Sequence, residues 1–375
     1  MPLKILHTGD FHLGMTFGTR GYPPALRQEL VKARFSALEG LVERANRENC
    51  QLLLITGDLF HRTNVSQETI LKAAKALQAF QGCAAVLPGN HDYHDGFSPL
   101  WKSFRDNSPD HLVFLGDPAP YSLADYGLDA ALYPGPCDAM HSSQNRLAWI
   151  KELPPGARPK ARWHLGVAHG ALKGVSPDFD SRYYPMEMEE LQGLEMDHWF
   201  LGHAHIRYPD REQVREGFVT YSGTPEPDGF DCSHGGFAWL TTLLDEGGAE
   251  SCSISTGRFR FYDFHHATAA LEDLEALTGQ LARKGQRALV RLTLSGALSQ
   301  EEYQGRLPLY RKLEEAQAYL EVEDFALTLR VTPETIDAEF PQGSFPQILL
   351  TRLADRGDEE ALQLAYNLVK KVKKC

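Results

Sequence analysis

The sequence predicts a layered α/β fold, and two observations carry that expectation. Short apolar runs at Leu3–Thr8, Leu52–Thr56 and Cys83–Leu87 alternate with longer stretches of helical period, the strand–helix–strand order of a βαβ unit. Each run also ends in a glycine-bearing polar loop, which puts polar side chains at the carboxyl ends of buried, parallel-type strands.

Taken in order, Leu3–Thr8 reads as a strand and Gly9-Asp10-Phe11-His12-Leu13-Gly14 as the loop after it. Residues 24–49 carry Leu30, Phe35, Leu38, Leu41, Val42 and Ala45 at near-helical spacing, with Pro24 at the start, and so predict a helix. Leu52–Thr56 is an uninterrupted apolar strand ending in Gly57-Asp58-Leu59-Phe60-His61. Ser66 caps a second helix, with Ile70, Ala73, Ala74 and Leu77 on one face. The strand Cys83–Leu87 leads into Pro88-Gly89-Asn90-His91-Asp92, where Gly89 permits a sharp turn. Prolines crowd residues 118–159, and the stretch 154–159 predicts a surface loop, since the apolar pattern resumes at Trp163. That run reaches His169-Gly170, and a strand over 198–201 ends in Gly202-His203-Ala204-His205. Segments 217–222, 237–244 and 250–255 read as strands joined by turns.

Around Arg258 the pattern changes. Residues 259–264 alternate as a strand, 269–284 are helical, 288–294 form a strand, 299–315 a helix, and 317–330 one or two strands. This is a compact βαβαβ unit, an α+β domain appended to the first. Two amphipathic helices, 344–355 and 358–372, come after it. The expected division is a main domain over 1–257, a small domain over 258–330 and a helical segment over 331–375.

The totals exclude several classes. A chain of 375 residues with 42% hydrophobic and 10% aromatic content is expected to be well packed rather than disordered. A net charge of −12 argues against coating nucleic acid by bulk attraction, although divalent metals or a local basic groove can receive phosphates on an acidic protein. The six cysteines form no CxxC pair and read as reduced thiols of a cytoplasmic protein. No apolar run reaches the ~20 residues of a membrane span, and the amino terminus does not read as a signal peptide.

Five strand-terminal loops each bring Asp, Asn or His: Asp10 and His12, Asp58, Asn90 and His91, His169, and His203 with His205. One histidine after a strand is an ordinary surface residue; five such loops, all beside glycine, point to one shared site. The donors include no thiolate, so they suit Mn²⁺, Fe²⁺ or catalytic Zn²⁺ rather than a structural zinc. So many donors exceed one tetrahedral ion, and seven match two ions sharing a carboxylate, the arrangement that activates water for attack on a phosphoryl group. Phosphoester hydrolysis is the chemistry this implies.

In order, Asp10-x-His12, Gly57-Asp58, Gly89-Asn90-His91-Asp92, His169 and Gly202-His203-x-His205 resemble the five motifs of the calcineurin-like metallophosphoesterases. The resemblance implies a β-sandwich flanked by helices and two divalent metals, Mn²⁺ if the chain belongs with the nuclease branch. One metal would take Asp10, His12, Asp58 and His205; the other Asp58, Asn90, His169 and His203. His91 would protonate the leaving oxygen, its ordinary pKa lying near working pH, and Asp92 would orient it. Asp10-Phe11-His12-Leu13-Gly14, Gly57-Asp58-Leu59-Phe60-His61 and Tyr221-Ser222-Gly223-Thr224-Pro225 resemble the branch typified by the SbcD exonuclease, in its shorter bacterial YhaO-type form. In that branch a histidine at the place of His61 assists near the metals.

Resemblance to that branch implies a DNA nuclease, exonuclease or endonuclease, of DNA-end processing and repair. Residues 258–330 would be its DNA-contacting cap, and the final helices a docking region for an SbcC-like ATPase. A homodimer through helices near 66–80 and 98–106 is also implied. Two readings compete: a small-molecule or cyclic-nucleotide phosphodiesterase of the same fold, and a DNA-end-binding scaffold without activity. Arg20, Arg27, Arg62, Arg158, Lys160, Arg162, Arg258 and Arg260 are candidates for a phosphate-tracking groove.

Overall fold

The computed structural model describes residues 2–176, 178 and 180–373. The chain divides into two compact units, one through Phe261 and one from Tyr262. The first begins β1 (Leu3–Thr8), α1 (Pro24–Arg47), β2 (Leu52–Thr56), α2 (Gln67–Gln78), β3 (Cys83–Leu87) and α3 (Pro99–Asp106). It continues with β4 (Leu112–Phe114), β5 (Tyr121–Ser122), β6 (Ala130–Gly135), α4 (Ala148–Lys151), β7 (Trp163–His169), α5 (Met188–Gln192) and β8 (His198–Gly202). Four strands close it: β9 (Gln213–Arg215), β10 (Val219–Tyr221), β11 (Phe237–Leu243) and β12 (Ala249–Ser255).

These strands make two sheets, ordered β4-β3-β2-β1-β11-β12-β9 and β10-β8-β7-β6-β5. Side-chain alternation along each strand builds the layers. From β1, β2 and β3, Ile5, Leu54 and Ala85 meet Leu132, Leu165, Val167 and Phe200 of the second sheet in a core between the sheets. Their neighbours Leu6, Leu53, Ile55 and Val86 face the other way and pack under α1, α2 and α3. On the far side of the second sheet, Tyr133, Trp199 and Leu201 pack with Ile150 and Leu191 of the short helices α4 and α5. The result is the expected β-sandwich flanked by helices.

Local chemistry explains the helices. In α2 the Ser66 hydroxyl accepts the Thr69 amide at 3.2 Å, satisfying an amide the helix cannot. In α1 the buried face is Leu30, Ala33, Ala37, Leu38, Leu41, Val42 and Ala45, with Arg34 buried among them.

The second unit takes all but the first two residues of β13 (Arg260–Thr268), then α6 (Leu271–Ala282), β14 (Ala288–Leu298), α7 (Gln300–Ala316), β15 (Tyr319–Leu329), α8 (Pro333–Glu339), α9 (Phe345–Asp355) and α10 (Glu359–Lys373). Its sheet runs β13-β14-β15, with β14 and β15 parallel. Leu274, Leu292, Leu294 and Leu313 form one core beneath that sheet. Ile336, Phe340, Leu350, Leu362 and Tyr366 form a separate core among the last three helices. The sequence pattern missed α8, which is short and offers one buried side chain, Ile336, too little for a periodicity to register. No helix of the described residues is long and apolar enough to cross a membrane. Cys50, Cys83, Cys137, Cys232 and Cys252 are free thiols; Cys375 lies outside the described residues.

Candidate metal centre

The parallel strands β1, β2 and β3 of one sheet and β7 and β8 of the other deliver all seven candidate donors from their carboxyl ends. The first two loops remain zipped beyond their strands. The amides of Asp10 and His12 donate to the carbonyls of Gly57 and Asp58 at 3.0 and 2.9 Å, and the His61 amide donates to Leu13 at 2.9 Å. Holding the donors there requires unusual backbone. Asp10, His12, Asp58 and His203 have φ of 52°, 48°, 51° and 99°, a left-handed region that costs a non-glycine residue about 1–3 kcal/mol. Four such residues among seven donors mark the loops as shaped for a task rather than for stability.

Glycine opens the space between them. A Cβ on Gly89 would run into the Asp58 carboxylate and backbone, and one on Gly57 into the His169 imidazole. Asp10, His12, Asp58, Asn90 and His169 are buried, while His203 and His205 are half-buried at the mouth.

Asp58 lies between two donor groups. Its Oδ2 is 3.6 Å from His12 Nε2 and 3.5 Å from His169 Nε2. On one side His12 Nε2 and His205 Nε2 are 3.2 Å apart, and His205 is 3.5 Å from Asp10 Oδ1. On the other, Asn90 Oδ1 lies 3.0 Å from His169 Nε2 and 3.1 Å from His203 Nδ1. The His169 Nδ1 sits 2.8 Å from the Thr56 carbonyl. A carbonyl only accepts, so Nδ1 carries a proton, and Nε2 is the nitrogen turned to the Asn90 oxygen.

Oxygen and nitrogen ligand atoms thus converge, with Asp10 Oδ1 and His12 Nδ1 buried without a hydrogen-bond partner. A cation is the group that fits. Asp10, His12 and His205, and likewise Asp10, Asp58 and His169, place their donor atoms within 4.8 Å of one another. Burial pushes His12 and His203 down to about 3 and 4, leaving neutral imidazoles with a lone pair to give. Burial acts the same way on His169, but Asp58 and Asp10 overcome it and raise the ring to about 9. Such a ring binds metal by exchanging its proton for the ion.

His91 stands beside the seven and, with His61, converges on His12, the donor atoms of the three lying within 4.8 Å of one another. Its amide donates to Asp58 Oδ1 at 2.9 Å, and its Nδ1 lies 3.2 Å from the His61 carbonyl. That carbonyl fixes the proton on Nδ1 and leaves Nε2 for a reacting oxygen. His61 stacks on His91 with ring centroids 5.6 Å apart, and burial, then the charge of His91, lowers its pKa to about 4.

Asp92 differs from expectation. Its carboxylate accepts the amides of Phe60 and Gly89 at 2.9 and 2.7 Å, and its carbonyl accepts the Trp101 indole N–H. Burial raises its pKa to about 8. Asp92 therefore ties the third loop to the second, and the imidazole of His91 takes its bond from His61 instead. Both Asp92 oxygens are claimed by amides that the loops themselves present.

Sequence reasoning missed the layer behind the donors. Asp228 Oδ1 is 3.7 Å from His205 Nδ1, and its Oδ2 is 3.5 Å from the fully buried Arg34 guanidinium, which donates to the Phe11 carbonyl at 2.6 Å. A carboxylate on the far nitrogen of a metal-binding histidine fixes its tautomer and orientation. The signal was Arg34 itself, a cation on the apolar stripe of α1. The Tyr221–Pro225 stretch also belongs to this layer. The Tyr221 hydroxyl donates to Gly170 at 2.7 Å, and the Thr224 hydroxyl lies 3.0 Å from the Asp10 carbonyl. Of the basic residues, Arg158, Arg162 and Arg258 are engaged with Glu195, Asp245 and Glu29.

Residues 3–207 match the calcineurin-like phosphoesterase family. The chain belongs to that family. It is therefore a member of a group of metal-dependent phosphoester hydrolases, with the His and Asp cluster able to hold divalent metal. It is similar over 353 residues, at 25% identity, to the uncharacterized metallophosphoesterase YhaO of Bacillus subtilis, a match covering 89% of this chain and 82% of that one. It is also 26% identical over 237 residues to the DNA double-strand break repair protein Mre11 of Methanopyrus kandleri, covering 60% of this chain and 49% of the relative. The Mre11 protein of Archaeoglobus fulgidus is 25% identical over 242 residues, covering 60% and 50%. The chain thus spans about half the length of these two Mre11 relatives.

Proposed function

We propose that the chain is a two-metal DNA nuclease, an exonuclease or endonuclease acting at DNA ends. The observation that carries the reading is Asp58 set between two donor groups with His91 beside them. One ion would take Asp10, His12, Asp58 and His205, the other Asp58, Asn90, His169 and His203. When bound, the ions supply charge for the phosphoryl oxygens and an activated water. His12, His169 and Asp58 would hold them, Asp228 would steady His205, and His91, as an imidazolium whose Nδ1–H is kept by the His61 carbonyl, would give its Nε2 proton to the leaving oxygen and be left as the neutral ring. His61 keeps the His91 tautomer through its carbonyl.

The likeness to two DNA double-strand break repair proteins supports DNA as substrate, as do the loop sequences shared with the SbcD branch. Mn²⁺ is the metal proposed, with Fe²⁺ or Zn²⁺ compatible with the same donors. A homodimer, and an ATPase subunit docking on the last helices, complete the proposal. Beyond their shared core, those helices leave Leu364, Leu368 and Val372 exposed at 62%, 56% and 76%, which supports a partner there.

The test is Mn²⁺-dependent nucleotide release from a labelled linear duplex, with bis-p-nitrophenyl phosphate run beside it and Asp58→Ala as control. Cleavage of both, lost in the variant, is expected. Cleavage of the small diester alone would move the protein to the small-molecule phosphodiesterases; cleavage of neither, with DNA still bound, to an inactive end-binding scaffold.

A further inference from the structure

Beside the metal centre lies a cavity of about 710 Å³ that none of the seven donors lines. Its walls come from the loops that carry His12 and His61 and from the facing turns of α1 and α2. Gly14 and Arg62 on its rim stand two residues and one residue beyond those histidines, and Leu13 bridges to Phe60 where the loops are joined. The cavity therefore adjoins the loop segments that carry His12 and His61.

Its lining is chemically selective. On a chain with 50 acidic and 38 basic residues, this cavity presents Arg27, Lys32 and Arg62 and no carboxylate. Lys32 pairs with Glu29 at 3.1 Å. Among the described residues no carboxylate lies within 4.0 Å of the side chains of Arg27 or Arg62. Val31, Phe35 and Val65 add apolar lining, with the Lys72 ammonium 5.3 Å from the Phe35 ring centroid. Cations with an apolar, partly aromatic lining match a nucleotide, whose phosphate takes charge while its base covers a hydrophobic surface.

We infer that this cavity is the subsite for the nucleotide flanking the scissile phosphate on the side of the His12 and His61 loops, held by Arg27 and Arg62 on its phosphate and by Phe35 against its base. The inference rests on the nuclease reading and adds where the polymer lies. It explains how an acidic protein grips a polyanion, through a short track of unpaired guanidinium groups and the metals rather than through overall charge.

The test compares the ratio of kcat/KM on labelled duplex DNA to that on bis-p-nitrophenyl phosphate in Mn²⁺. The proteins are the wild type, Arg27→Gln, Arg62→Gln, the double variant, and Arg47→Ala as a control for loss of one surface cation. The subsite predicts that the ratio falls at least tenfold in the double variant, mainly through KM on DNA. The slope of log affinity against log salt should flatten by about one unit, as loss of phosphate contacts requires. An unchanged ratio in the double variant, with the wild type cleaving DNA, would overturn the subsite and leave the nuclease standing. So would an equal fall in Arg47→Ala, since the effect would then be bulk charge. A wild type that hydrolyses the diester but not DNA would remove the nuclease reading, and this subsite with it.

Discussion

Asp58 shows how one residue can join two sites. Its carboxylate lies about equally far from His12 and His169, so Asp58→Asn, which keeps size but removes charge, should empty both metal positions together. Elemental analysis of the purified variant is expected to give far less than the wild-type metal content; retention of a single full equivalent would show that Asp58 serves one ion only. Asp228 acts one step further out. Asp228→Asn should weaken metal binding by about 10–100-fold, the usual effect of removing a carboxylate behind a ligating histidine, as measured by Mn²⁺ titration with electron paramagnetic resonance. For His91→Asn the split is different: metal content and DNA affinity should persist while kcat falls by about 10²–10⁴. Full turnover would take His91 out of the chemistry.

At the scale of elements, the loops after the strands matter more than the strands themselves. Gly89 lets the β3 loop lie against Asp58, so Gly89→Ala should displace that carboxylate. Loss of metal with little change in far-ultraviolet circular dichroism is expected; unchanged metal affinity would mean the loop can yield. The strand–helix alternation and the Ser66 cap were legible because strong periodicity and turn chemistry act locally. The donor residues were legible because Gly-flanked Asp, Asn and His recurred after strand after strand. The partners of Asp92 and Asp228 were not. Whether a carboxylate faces a neighbouring imidazole or a backbone amide depends on how separate loops meet, which no local pattern encodes.

For the whole molecule, the two units have their own cores, so the metals should stabilise them unequally. Ligand at about 100 times its Kd adds roughly 2.7 kcal/mol to the form that binds it. Removing metal with a chelator is therefore expected to lower the calorimetric transition of the first unit and leave that of the second in place. A single transition moving as one would show that the units unfold together.

The sequence by itself determined the α/β class, the seven candidate donors and the family's chemistry, because each is written in short-range pattern. Apolar runs fix strands, glycines fix the loops after them, and residue type fixes what those loops can ligate. Only the tertiary structure decided the partners: that Asp92 holds backbone, that Arg34 and Asp228 stand behind His205, and that Arg27 and Arg62 share one cavity without a carboxylate. Those relations join residues as distant in the chain as Arg34 and Asp228. They arise when two sheets stack and bring the ends of their strands to one edge.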